Sequence, residues 1–271
     1  MRERGEPRVA RNSMHEPFLI EVAPGQMVST AVHAGHDIRP ALVDVVALDP
    51  STRLREEDPF TDRLLGDVGI RVVARRSRFE VDLNRSRDRA VYRVPDEAFG
   101  LDVWKRELNP DELEESRRIH DAFYTCLSAH CDGLAADGGF LVLDVHSYNH
   151  RRGGPDALPE PAAGNPEVNV GTGALDGRRW ERAVATFMEA LGEQSVRGHR
   201  LDVRANVRFR GGHLSHWLVE HYPAALPLAI EFKKVFMDEW TGQCDDAHVS
   251  ELREALGVAA RATVDAVSDL A

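Results

Sequence analysis

The stretch FLVLDVHSYNHRR, Phe140–Arg152, decides how the chain is read. Phe140, Leu141, Val142 and Leu143 follow the turn signal Asp137-Gly138-Gly139. Four apolar residues in that setting predict a short strand buried on both faces. In an open α/β sheet, ligands gather just beyond the carboxyl ends of such strands. Side chains two apart share a strand face, so Asp144 and His146 point the same way. One of them could bind a metal while the other orients it from behind. The competing reading is a buried His146 hydrogen-bonded to its own loop.

Outward from this stretch, strand-like and helix-like patterns alternate. Phe18–Ala23 and Met27–Val32 are apolar runs around Pro24-Gly25, which predicts a strand pair joined by a turn. Arg53–Asp58 reads as a charged connection, and Asp58-Pro59 as a helix N-cap followed by proline at the first helical position. Val68–Arg76, Val168–Thr172, Leu201–Val207 and Leu226–Phe236 are further strand candidates. Pro110–Ala136 is the longest helical pattern, started by Asn109-Pro110-Asp111-Glu112. Arg178–Leu191, His213–Tyr222 and Asp245–Leu270 complete the helices. Residues 1–16 read as a polar leader, and 17–271 as one domain without internal repeat. Such alternation predicts an α/β fold, a layered mixed sheet with helices on both faces.

Composition narrows the class. The chain has 271 residues, with 34 basic against 45 acidic side chains and a net charge of −11. That balance argues against sequence-independent binding to nucleic acid or to an anionic membrane. Cys126, Cys131 and Cys244 form neither a disulfide framework nor a paired zinc-knuckle spacing. No apolar run approaches the ~20 residues needed to span a bilayer. The expected compartment is the cytoplasm.

Three candidate metal ligands fall where regular elements meet loops: His33, Asp58 and His146. Two imidazoles and a carboxylate, with a fourth position for water, are a common catalytic zinc set. His36 and His150 are also available, and Asp58 could simply cap its helix. In SRFEVDLNR (77–85), Arg78, Glu80, Asp82 and Asn84 alternate with Phe79, Val81 and Leu83, so polar groups would share one side of an extended strand. Arg85 ends it, and an arginine beside an asparagine suits a substrate carboxylate. The alternative is a solvated, salt-bridged surface strand. Glu231 interrupts the interior run LPLAIEFKK, and burying it unpaired would be costly. Either Lys233 or Lys234 pairs with it, or it faces a polar cavity where it could act as general base.

Together these segments resemble the N-formylglutamate amidohydrolase family, relatives of the zinc carboxypeptidases. The resemblance rests on VHAGHDIRP (32–40), REEDPFTDRLL (55–65), SRFEVDLNR (77–85), LDVHSYNHRR (143–152), NVGT (169–172) and FRGGH (209–213). The pairing of SR-x-x-VDLNR with D-x-HS is the specific part. The resemblance implies a phosphorylase/hydrolase-like α/β/α sandwich with Zn2+ on His33, Asp58 and His146. It implies Glu231 as the base, and Asn84, Arg85 and Arg78 around the substrate carboxylate. Glu57 is an alternative to Asp58 as ligand, because the segment reads Glu56-Glu57-Asp58. The implied activity is hydrolysis of a small anionic N-acyl amino acid, N-formyl-L-glutamate above others. A related zinc peptidase or deacylase and a non-catalytic anion-binding protein of the same fold are the alternatives. The roles of His36, His150, His213 and His216 stay open.

Overall fold

The computed structural model describes residues 16–268, so the expected leader, apart from its last residue, lies outside the described part. The strands are β1 (Phe18–Val22), β2 (Met27–Ala31), β3 (Ile70–Ala74), β4 (Phe140–Tyr148), β5 (Val168–Gly171), β6 (Ser195–Val196), β7 (His199–Arg200), β8 (Val203–Ala205) and β9 (Ala225–Lys233). The helices are α1 (Pro40–Val43), α2 (Pro50–Glu56), α3 (Thr61–Leu64), α4 (Pro110–Asp137), α5 (Gly177–Gly192), α6 (His213–His221) and α7 (Asp246–Ser268). Seven strands form one mixed sheet in the order β1-β3-β2-β4-β9-β5-β8. No described helix is long and apolar enough to cross a membrane. The three cysteines are free thiols.

β4 is the central strand and all nine of its residues are buried. Its two faces feed different layers. Leu141, Leu143 and Val145 join the core that contains residues of α5 and α7. Phe140 and Val142 join the core formed with α4 and α6. Each such side chain stabilises the fold by about 1.5–3 kcal/mol relative to exposure. The second face changes character along the strand, because Asp144 and His146 continue the Phe140/Val142 row. Neighbouring strands match the change in register. Thr30 of β2 lies opposite Asp144, and Glu231 of β9 lies opposite His146. An apolar row thus becomes a polar one toward the carboxyl ends of three parallel strands. Moreover, the chain leaves β2 toward β3 on one side and leaves β4 toward β5 on the other. Such a reversal opens the crevice where α/β sheets hold ligands.

α4 begins where expected. The Asn109 side chain accepts from Glu112 N at 2.9 Å, and Glu112 accepts from Asn109 N at 2.8 Å, with Pro110 at the first helical position.

Three local expectations are corrected. β1 and β2 are not a hairpin: β3 inserts between them, antiparallel to β1 and parallel to β2. β2 is buried along its whole length, which suits an interior strand, whereas β1 forms the sheet edge. Residues 77–85 are a series of turns instead of a strand, with Glu80 N bonded to Ser77 O and Arg85 N to Asp82 O. Nor are they solvated: Glu80 is buried against Arg39 at 2.9 Å, so both the polar and the apolar residues of that run face inward. Finally, Asp58 is not a helix N-cap: the short helix expected after it is present as α3, but Phe60 stands at its cap position and no side chain caps it. Asp49 caps α2 by accepting from Thr52 N at 2.9 Å, with Pro50 following. That leaves Asp58 outside any helix, its carboxylate free of capping duty.

Candidate functional site

His33, Asp58 and His146 converge. One ligand atom from each lies within 4.8 Å of the others, and all three residues are buried. Asp58 Oδ2 is 3.0 Å from His146 Nδ1 and 3.3 Å from His33 Nδ1. His33 comes just after β2, and Asp58 N donates to its carbonyl at 2.9 Å, which ties the two loops together. Thr61 Oγ1 donates to the Asp58 carbonyl at 2.6 Å. His146 is fixed within β4 itself.

The far side of each imidazole is held by a buried carboxylate. His33 Nε2 lies 2.7 Å from Asp82 Oδ1, and His146 Nε2 lies 3.0 Å from Asp144 Oδ2. These partners are themselves anchored. Arg78 Nη2 donates to Asp82 Oδ2 at 3.0 Å, Tyr92 OH donates to the same oxygen, and Asn84 N donates to Oδ1 at 2.9 Å. Thr30 Oγ1 donates to Asp144 Oδ1 at 2.8 Å. With Nε2 occupied on both rings, Nδ1 is the atom each ring turns toward Asp58. A carboxylate behind a histidine is the arrangement that orients metal-binding imidazoles and raises their basicity.

The protonation tendencies follow from this packing. Burial alone would raise the Asp58 carboxyl, but the hydrogen bond from His146 and the His33 imidazole beside it hold it well below the usual range. Burial likewise opposes ionisation of Asp82, and His33 and Arg78 overcome it. His146 is driven the other way from what burial would do, chiefly by Asp144 beside it. A metal ion takes the place of such protons, because histidine binds it as the neutral ring.

Do these residues fit a metal? His33 Nδ1 is buried and has no hydrogen-bond partner, despite the nearby Asp58 oxygen. A buried polar atom in that state calls for an explanation. An ion shared with Asp58 and His146 provides one, and two nitrogens with one oxygen are a donor set that zinc accepts. Glu57 does not join them. Its carboxylate accepts from His36 Nδ1 at 2.5 Å and from Ser77 Oγ, with Arg53 at 3.8 Å.

Glu231 and the three converging residues line one cavity of about 260 Å³, together with Arg78 and Asn84. That is below the roughly 300–1,000 Å³ usual for drug-sized ligands, so a small substrate is indicated. Among the described residues the Glu231 carboxylate has no hydrogen-bond partner, and burial pushes its pKa up to about 7, with His146 pulling the other way. Neither neighbouring lysine pairs with it. Lys233 Nζ donates to the Asn165 carbonyl at 3.1 Å, and Lys234 Nζ to the carbonyls of Arg55 and Glu57 at 2.6 and 2.7 Å.

Arg85 is placed differently from Arg78 and Asn84. It does not line the cavity; its Nη2 donates to the Glu97 carbonyl at 2.6 Å, and its Nε lies 3.5 Å behind Asp82. Asn84 is partly committed, its Oδ1 accepting from Leu214 N at 2.9 Å and its Nδ2 lying 3.1 Å from His146 Nε2. His36, His150, His213 and His216 are all outside the cavity wall. Of its other cationic residues, Arg152 lies in LDVHSYNHRR and Arg210 in FRGGH, while Lys234 was expected only as a possible partner of Glu231; none of the three stands among the expected site residues. A larger cavity of about 490 Å³, walled by parts of 92–113, holds none of the three converging residues.

The carboxylates behind the histidines are open to test. Asp144→Asn should weaken metal affinity about 10- to 100-fold, measured by competition with a chelating indicator. An affinity equal to that of the unsubstituted protein would show that Asp144 does not orient His146.

The family model described as N-formylglutamate amidohydrolase matches residues 25–236. No curated protein sequence matches the chain significantly. The crystal structure of N-formylglutamate amidohydrolase from Ralstonia eutropha JMP134 is similar with a TM-score of 0.66 at 18% identity, covering 92% of this chain and 97% of that one. A gene product of Agrobacterium tumefaciens is similar with a TM-score of 0.64 at 16% identity, covering 91% and 94%. Identities this low speak for the fold.

Proposed function

The chain belongs to the N-formylglutamate amidohydrolase family, and from that premise we propose that it is a zinc-dependent amide hydrolase acting on N-formyl-L-glutamate or a close acidic relative. One observation carries the reading. His33, Asp58 and His146 converge beside Glu231 and Arg78 in a single small cavity. What a zinc ion bound there supplies is positive charge that acidifies water and polarises the acyl carbonyl.

This chain's own residues do the rest. Arg78 is fixed by Asp82 and by Tyr92 OH at 3.1 Å, which leaves Nη1 for a substrate carboxylate. Asn84 adds an amide hydrogen beside it. Arg85, standing behind Asp82, supports that carboxylate instead of touching substrate. Glu231 takes a proton from the attacking water as the oxygen bonds to the acyl carbon. It then returns that proton to the amide nitrogen, the C–N bond breaks, and formate and glutamate leave. A carboxylate whose pKa lies near neutrality suits both transfers. The free thiols agree with a cytoplasmic site of action.

The decisive experiment is turnover by zinc-loaded protein of N-formyl-L-glutamate, N-acetyl-L-glutamate and short acidic peptides. The formyl compound should have the highest kcat/KM. Preference for peptides would replace this reading with a peptidase, and zinc-loaded protein inert toward every substrate would replace it with a binding role.

A further inference from the structure

Four cationic residues line the cavity, Arg78, Arg152, Arg210 and Lys234. They differ in how far each is already committed. Arg78 is bonded to Asp82 and Tyr92. The Lys234 ammonium is buried between two backbone carbonyls. Arg152 has Glu56 at 4.0 Å. The Arg210 guanidinium has no hydrogen bond or ion pair among the described residues. Its neighbour in sequence, Arg208, shows the contrast: it lies over the Tyr148 ring and pairs with Glu160 at 3.0 Å.

Although its side chain is exposed, the backbone of Arg210 is held firmly. Its carbonyl accepts from Gly173 N at 2.7 Å. The end of β5 is shaped to let this segment sit flush: a Cβ at Gly171 would lie 2.6 Å from Gly211 N, and one at Gly173 would lie 2.8 Å from Arg210 Cβ. An uncommitted guanidinium on a fixed backbone, at the wall of a site for a small anion, is positioned to meet a carboxylate through two parallel bonds. The chain's net charge of −11 repels a dianion at long range, so local cations must supply the attraction.

We propose that Arg210 is a specificity-determining residue, receiving the second carboxylate of a dicarboxylic N-acyl amino acid while Arg78 holds the first. This rests on the reading of the cavity as an acyl-amino-acid site. It means that the site selects its substrate by two separated negative charges, and that acylated neutral amino acids are poor substrates.

The test compares N-formyl-L-glutamate with N-formyl-L-glutamine, which has nearly the same shape and no side-chain charge. Zinc-loaded unsubstituted protein should prefer the glutamate compound. Arg210→Gln should lower kcat/KM for it by about 10- to 100-fold, mainly through KM, since a hydrogen bond to a charged group is worth about 1.5–3 kcal/mol. The ratio between the two substrates should collapse toward one, and Arg210→Lys should restore part of it. A merely structural role would depress both substrates together and leave the ratio intact, which overturns the assignment. So does a ratio that survives with no loss on either compound. Neither result touches the hydrolase reading, which fails separately if the unsubstituted protein cleaves neither compound.

Discussion

Glu231→Gln should keep its full complement of metal and lose about 100- to 10,000-fold in kcat. The substitution preserves shape and removes only the ability to take and return a proton. Metal content by elemental analysis and turnover of N-formyl-L-glutamate give the two readouts. Near-normal turnover would end the general-base role. Loss of metal alongside activity would instead place Glu231 among the groups that hold the ion. A pH dependence accompanies this. Burial raises the Glu231 carboxyl to about 7, so the proton-accepting form is gained as pH rises through that region. A bound cation nearby favours the ionised form and moves the transition downward. The unsubstituted enzyme should therefore show an acidic limb in kcat/KM with its midpoint at or below about 7, and that limb should be missing from the residual activity of Glu231→Gln.

His146→Ala should lose metal and activity together. The ring bridges Asp58 and Asp144, 3.0 Å from each. Removing it strips one of three donors and leaves two buried carboxylates facing a hole. Each polar group left unsatisfied costs about 1–3 kcal/mol, so the melting temperature should fall as well. Elemental analysis and thermal unfolding, with and without added zinc, separate the two effects. A variant that still binds one equivalent of metal with unchanged affinity would remove His146 from the ligand set.

Much of this site was legible in the sequence, for a physical reason. The pattern Leu-Asp-Val-His (143–146) places two polar residues at period two inside an apolar strand, and burial of that kind demands a partner. The same logic marked Glu231. Where the reading went astray, the determining contacts were distant ones. Nothing local told that β3 would insert between β1 and β2, because both runs look equally strand-like. The alternation in SRFEVDLNR imitates a strand, yet Asp82 is required near His33, Arg78 and Tyr92 at once, and a series of turns delivers that. The choice between Glu57 and Asp58 also lay outside sequence, since it depends on Ser77 and His36 closing around Glu57. Arg210 carries no local mark; only the cavity shows it to be uncommitted.

The hydrogen bond from Thr30 to Asp144 joins residues 114 positions apart, and the imidazoles of β2's end and of β4 become neighbours through that same strand pairing. The proposed metal site is therefore a property of the finished tertiary structure, unlike the short-range chelates of small zinc modules, which metal can assemble from an open chain. Zinc should then act on the folding equilibrium purely by mass action, recognising the native form and ignoring the unfolded one. Raising the free ion concentration should lift the unfolding temperature steadily without altering the refolding rate of the stripped chain, whereas accelerated refolding would mean that the ligands meet before the sheet does.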